Sequence, residues 1–185
     1  DAFWTWFISH QEQVAKIKTA NEPIADQLAA ELHKLGAQLT FEVGVASKPK
    51  EIIISADGIV EIFPTVKKLV AAAPKIPGWK VVAFRPRKPM TEVQVGKHGK
   101  LSTAMMSFRL LHPIVSGAKV DIAIYVKDRP IDDETKLGAY LLLDSLLGEY
   151  DVETRLGQID LLPGKDAPKG TKPMQELPGL VDLRR

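Results

Sequence analysis

The sequence predicts an α+β fold, a mixed and mainly antiparallel sheet with helices packed on it, and three observations carry that prediction. Apolar residues recur at helical spacing near the start and again late in the chain. Alternating or β-branched runs crowd the middle. The two kinds of segment do not alternate regularly enough for a doubly wound parallel sheet.

Phe3, Trp4, Phe7, Val14 and Ile17 share a helical face and predict an opening helix, with Trp6 off the stripe. Asn21 can cap a second helix, with Pro23 in its first turn, Ile24, Leu28, Leu32 and Leu35 at helical spacing and Gly36 as the stop. Leu39, Phe41, Val43 and Val45 then alternate with polar or small residues, as in a half-buried strand. The apolar run at 51–55 predicts a central strand covered on both faces, joined to the preceding one by a hairpin around Pro49. Pro64 opens a helix carrying Val66, Leu69, Val70 and Ala73, stopped by Pro74 and Pro77. Strands are predicted at 79–85, 93–95, 101–110, 119–127 and 158–162. Between the last two, Asp132 or Asp133 can cap a long helix that runs to about Leu147 and ends at Gly148. Residues 163–185 read as a tail rich in Pro, Gly and Lys, and residues 1–162 as one domain, since a single core commonly holds roughly 100 to 200 residues.

Composition narrows the chemistry. The 185 residues are 45% hydrophobic and 26% charged, ordinary globular usage. The absence of cysteine excludes disulfides, thiolate zinc sites and cysteine nucleophiles. No apolar run approaches the roughly 20 residues of a membrane-spanning helix, and the first residues lack the pattern of a secretory signal. The expectation is a cytoplasmic protein without a membrane partner.

The net charge of +2 conceals a bipolar distribution. Seven bases (Lys75, Lys80, Arg85, Arg87, Lys88, Lys97, Lys100) face a single acid, Glu92, over residues 75–100. Over residues 132–153 the ratio inverts, with Asp132, Asp133, Glu134, Asp144, Glu149, Asp151 and Glu153 against Lys136. Arg85, Arg87 and Lys88, in a segment stiffened by Pro86 and Pro89, form a candidate binding site with Trp79. Phosphates pair with such charges and aromatic faces stack bases, but +2 overall is far from the balance of a dedicated nucleic-acid binder.

Asp57, Asp144 and Glu149 are the candidate catalytic carboxylates; with Asp121 and Asp151 they would serve a hydrolase or nuclease-like enzyme if the fold brought them together. Ser55 fails as a nucleophile elbow, because Ile53 and Asp57 occupy the positions that need glycine, and Ser55 to Gly58 read as a turn. His10, His33, His98 and His112 show no metal-ligand spacing, and residues 96–100 lack the spacing of a phosphate loop. No metal and no cofactor is expected.

Phe3-Trp4-x-Trp6-Phe7, Ser55-Ala56-Asp57-Gly58, Phe63-Pro64-x-Val66, Ala73-Pro74, Gly78-Trp79, Ala83-Phe84-Arg85-Pro86-Arg87 and Leu143-Asp144-x-x-Leu147-Gly148-Glu149-Tyr150 follow one another in order, and the combination covers roughly residues 3–162, nearly the whole chain. This combination resembles an uncharacterised bacterial family, a domain of unknown function, some of whose members are joined to domains similar to the type-B protein inhibitor of ribonuclease E. The resemblance implies an α+β fold, a bacterial source and a regulatory binding role, and it brings no catalytic residues. The leading expectation is therefore a non-enzymatic interaction or regulatory module that meets a protein partner or a second copy of itself, with the carboxylate enzyme and nucleic-acid binding as alternatives.

Overall fold

The structure is a computed structural model that describes residues 2–183 except 20, 45 and 116. It confirms the α+β class, with six helices and nine strands among the described residues. They form two compact units, Asp1–Arg85 and Pro86–Arg185. The boundary falls in the proline-stiffened segment that the sequence marked for its charge.

The first unit carries α1 (Ala2–Val14), α2 (Pro23–His33), β1 (Thr40–Gly44), β2 (Lys50–Ser55), α3 (Phe63–Ala71) and β3 (Trp79–Ala83). Its sheet has the order β1-β2-β3. β1 and β2 form the expected antiparallel hairpin, and β2 runs parallel to β3 across α3. Ile52, Ile53 and Ile54 are buried because β2 is central, which accounts for its unbroken apolar run. Phe3, Trp4 and Phe7 pack edge to face on α1, Phe7 meets the Trp79 ring at 5.1 Å, and Trp4 Nε1 donates to the Leu69 carbonyl at 2.9 Å. A buried indole needs such an acceptor, so α1 is fixed to α3 by shape and by one polar contact.

Local details differ from the sequence reading in instructive ways. Glu22, not Asn21, occupies the N-cap of α2, and its carboxylate accepts from the Lys18 and Thr19 amides at 2.7 and 3.0 Å. Those bonds, the Lys18 one foremost, hold the Glu22 pKa below its ordinary value. The helix ends at His33, short of Gly36. β3 stops at Ala83 because Phe84 turns into the left-handed region (φ 65°) while its ring packs on Phe63 at 4.4 Å. Val45, assigned to the first strand, lies outside the described residues.

The second unit holds β4 (Glu92–Val95), β5 (Gly99–Ser102), β6 (Met106–Leu110), β7 (Val120–Val126), α4 (Asp133–Leu147), α5 (Glu149–Arg155), β8 (Leu156–Pro163), β9 (Lys172–Pro173) and α6 (Leu177–Asp182). β4 and β5 make a hairpin, and the larger sheet has the order β8-β7-β6-β9. In it β7 is antiparallel to β6 and parallel to β8. The single strand expected over 101–110 is divided by a 3-10 turn at Thr103–Met105. β7 is buried along nearly its whole length, since Ala123 and Tyr125 are covered as well as the Val120, Ile122, Ile124, Val126 face. α4 ends at Gly148 (φ 83°) as expected, and Gly138 lets it close on the hairpin, where an added Cβ would lie 2.6 Å from Val95.

The segment read as a tail is a correction. Within it, residues 163–182 supply the end of β8, β9 and α6, and Met174, Leu177 and Val181 join the core of the second unit. Counting Pro, Gly and Lys missed the apolar spacing of 3, then 4, that these three residues keep on one helical face.

α4 starts from Asp132, whose Oδ1 accepts from the Thr135 amide at 3.0 Å and whose Oδ2 lies 2.5 Å from His98 Nε2. The Thr135 amide first and the His98 ring second hold its pKa down to about 2, from 3.8. A carboxylate depressed in the folded state stabilises fully above its unfolded pKa and loses that contribution as pH falls through the folded one. The expected result is that Asp132→Asn, which keeps an acceptor for the cap, flattens the fall of melting temperature between about pH 4 and pH 2 relative to wild type. Parallel curves for the two proteins would remove this cap from the acid response.

Candidate functional site

The parallel pair β2 and β3 brings two of the sequence candidates together. After β2, Asp57 (φ 53°) and Gly58 (φ 80°) make a tight turn, in which the Asp57 amide donates to the buried Ser55 hydroxyl at 2.9 Å. Ser55 therefore serves the turn. After β3, Arg85 reaches back: Nη1 lies 2.8 Å from Asp57 Oδ1, and Nε donates to Glu42 Oε1 on β1 at 2.8 Å. Open α/β sheets place functional side chains outside the carboxyl ends of parallel strands, and this guanidinium with two carboxylates stands at such a place.

Glu42 also belongs to a larger feature. A cleft of about 540 Å³ runs along β1 and α2, lined by Phe41 and Val43 on the strand, Leu39 just before it, and Ala25 and Ala29 on the helix. Its polar residues are Lys18, Thr19, Asp26, His33, Thr40 and Glu42. The Thr40 hydroxyl oxygen is shielded from solvent and has no partner among the described residues. The open edge of β1 follows from the ladder. The Ile54 carbonyl accepts from the Phe84 amide at 2.8 Å, so Ile54 faces β3, and Ile53 and Ser55 face β1. Their partners Glu42 and Thr40 thus bond to β2, while the N–H and C=O groups of Phe41 and Val43 point to the other side, where no strand among the described residues pairs with β1.

The remaining candidates have structural partners. Trp79 packs on Phe7. Arg87 is wholly engaged in the second unit: Nε donates to the Leu147 carbonyl at 2.8 Å, Nη1 and Nη2 to Asp182 at 2.8 Å, and Nη2 to Asp151 at 2.9 Å. Hydrogen bonding to Asp182 is the main reason its pKa is raised, against burial, which lowers it. The Lys88 amide donates to the Ser145 carbonyl at 2.8 Å. Asp144 and Glu149 lie in α4 and α5, Glu149 buried, whereas Asp57 belongs to the first unit. Asp121 accepts from the Gln158 amide at 2.7 Å. Burial pushes the Glu153 carboxyl up. Among the described residues no three His, Asp or Glu side chains converge in a way that could hold a metal ion.

Both charged segments are largely paired within the chain. Lys80 meets Glu51 at 2.9 Å and Lys100 meets Glu92 at 2.5 Å, in addition to the pairs of Arg85 and Arg87. Asp151 also binds Arg155 at 2.6 Å, and Asp133 faces Lys136 at 3.6 Å. The basic run is thus no continuous field for a phosphate backbone.

No protein-family model matches the chain, and no curated protein and no solved structure is significantly similar to it. The resemblance drawn from the short sequence elements stands on those elements alone.

Sequence reasoning missed the cleft. Its one legible sign was the pair Ala25 and Ala29, small residues four apart on a helix, which leave room beside the chain. Nothing in the order of residues says that β1 is an edge strand, because that is a property of the pairing.

Proposed function

We propose that the protein is a binding module whose first unit takes up an extended segment of a partner polypeptide along β1, against α2. The observation that carries this reading is an apolar cleft running beside the unpaired backbone groups of Phe41 and Val43. Main-chain groups on a sheet edge are best satisfied by another main chain, and alternate side chains of an added strand point into whatever pocket flanks it. The alanines of α2 and the faces of Leu39 and Val43 fit small or branched apolar side chains, and Asp26 and Lys18 stand beside them for polar ones. The regulatory role implied by the family resemblance agrees with such a module.

Selection of peptides from a random library on the immobilised protein, followed by titration into ¹⁵N-labelled protein, tests the proposal. The expected result is a peptide set with alternating apolar residues that shifts the amides of Phe41 and Val43. Ala29→Trp, which fills the cleft, is expected to weaken the selected peptides about tenfold or more, the scale of losing one well-filled apolar pocket. Selected peptides that perturb neither β1 nor α2, or that ignore Ala29→Trp, would overturn it.

A further inference from the structure

The second unit contains a site that owes nothing to the cleft of the first. β7 and β8 are parallel, with Val126 opposite Pro163, so the turns that leave their carboxyl ends lie side by side. Together these turns line a pocket of about 400 Å³, formed by Val126, Asp128, Arg129 and Pro130 from one and Pro163, Gly164 and Lys165 from the other. The close approach is made possible by Gly164, whose absent Cβ would sit 2.8 Å from Lys127 Cα and 2.9 Å from the Val126 carbonyl oxygen. Asp128 takes a left-handed conformation (φ 56°), which turns the chain so that Arg129 follows directly.

Arg129 is the anomaly. Its Nη2 donates to the Lys100 carbonyl, but Nε and Nη1 are shielded from solvent with no hydrogen-bond partner. A guanidinium stays charged at any ordinary pH, so it cannot escape burial by losing its proton. Arg129 is half-buried, and shielding two nitrogens of a charged group without partners is costly, so natural structures tend to supply one. No carboxylate forms an ion pair with Arg129 among the described residues. Lys165, on the facing turn, is exposed and likewise has no ion pair there. The charged groups lining the pocket are therefore two cations and Asp128, a net charge of one positive.

We propose that this pocket binds a small oxyanion, a phosphate or carboxylate group, with the Arg129 guanidinium and the Lys165 ammonium supplying the positive charge that attracts it. Nε and Nη1 lie on different edges of the guanidinium, so each offers a single charge-assisted hydrogen bond to an anionic oxygen and the two together form no fork. Pro130, Pro163 and Val126 give apolar walls for whatever small body carries the anion.

The test is titration calorimetry of the full chain with sodium phosphate and, separately, with sodium acetate, ionic strength being held constant with chloride. Saturable one-to-one binding of at least one of the two anions is expected, and the one that binds identifies the source of the group. Arg129→Gln and Lys165→Ala are each expected to weaken it about tenfold or more, as removal of a charged hydrogen-bond donor does. Asp128→Asn, which removes the opposing charge and tolerates the same backbone, is expected to tighten it. Lys165→Glu, at an exposed position, covers the case in which the Arg129 variant does not fold. Absence of saturable binding of both anions, or affinity indifferent to Lys165→Glu and Asp128→Asn, would overturn the proposal.

Discussion

Replacing Arg87 with alanine is expected to lower the unfolding free energy by about 3 kcal/mol, the low end of what breaking a buried ion pair costs. The side chain binds α6 through both oxygens of Asp182, α5 through Asp151 and the end of α4 through the Leu147 carbonyl. Asp151 is 9% exposed, so removing Arg87 leaves a shielded carboxylate with Arg155 as its remaining cation in these pairs. Arg87 and Asp182 are more open, at 31% and 40%, and solvent screening there keeps the figure from the upper end of the range. Arg87→Lys is expected to recover only part of the loss, because one ammonium cannot reproduce a planar fork that serves three acceptor groups at once. Urea unfolding of the three proteins reads the effect as shifts in midpoint at constant slope. A loss under about 1 kcal/mol for the alanine variant would place Arg87 with ordinary surface pairs.

Arg87 also shows where sequence reasoning reaches its limit. Its charge and the two flanking prolines were visible, and they invited a ligand; the carboxylates that neutralise it lie 64 and 95 positions away. Asp57 and Arg85 were both singled out, yet only the parallel pairing of β2 with β3 makes them neighbours. Helices and strands were legible wherever a period or a cap was strong: Asp132 and Gly148 bound α4 as expected, and the three isoleucines of β2 announced a central strand. The division of residues 101–110 into two strands was not, since Thr103 to Met105 carry neither glycine nor proline to mark the turn. The buried nitrogens of Arg129 left no sign in the sequence at all, because Asp128-Arg129-Pro130 reads as an ordinary polar turn.

Gly164→Ala is expected to cost about 2 to 3 kcal/mol, near the top of the range for overpacking by a single carbon. The three atoms that its Cβ would meet, Lys127 Cα at 2.8 Å, the Val126 oxygen at 2.9 Å and Lys127 N at 3.0 Å, are all backbone. No rotamer change can move them. Relief requires the end of β8 to draw away from the end of β7, the most buried strand of the unit, with which it pairs from Val120 to Val126. Stiffening of the unfolded chain returns only about 0.4 to 1 kcal/mol. The same displacement would separate Lys165 from Arg129, so the variant is expected to lose oxyanion affinity along with stability. The two effects come apart under the conditions of measurement: calorimetry at a temperature where the variant is still folded reads the pocket, and denaturant unfolding reads the strand ends. Unchanged stability in Gly164→Ala would mean that the two strand ends yield easily, and the close approach that builds the pocket would then be no constraint on its geometry.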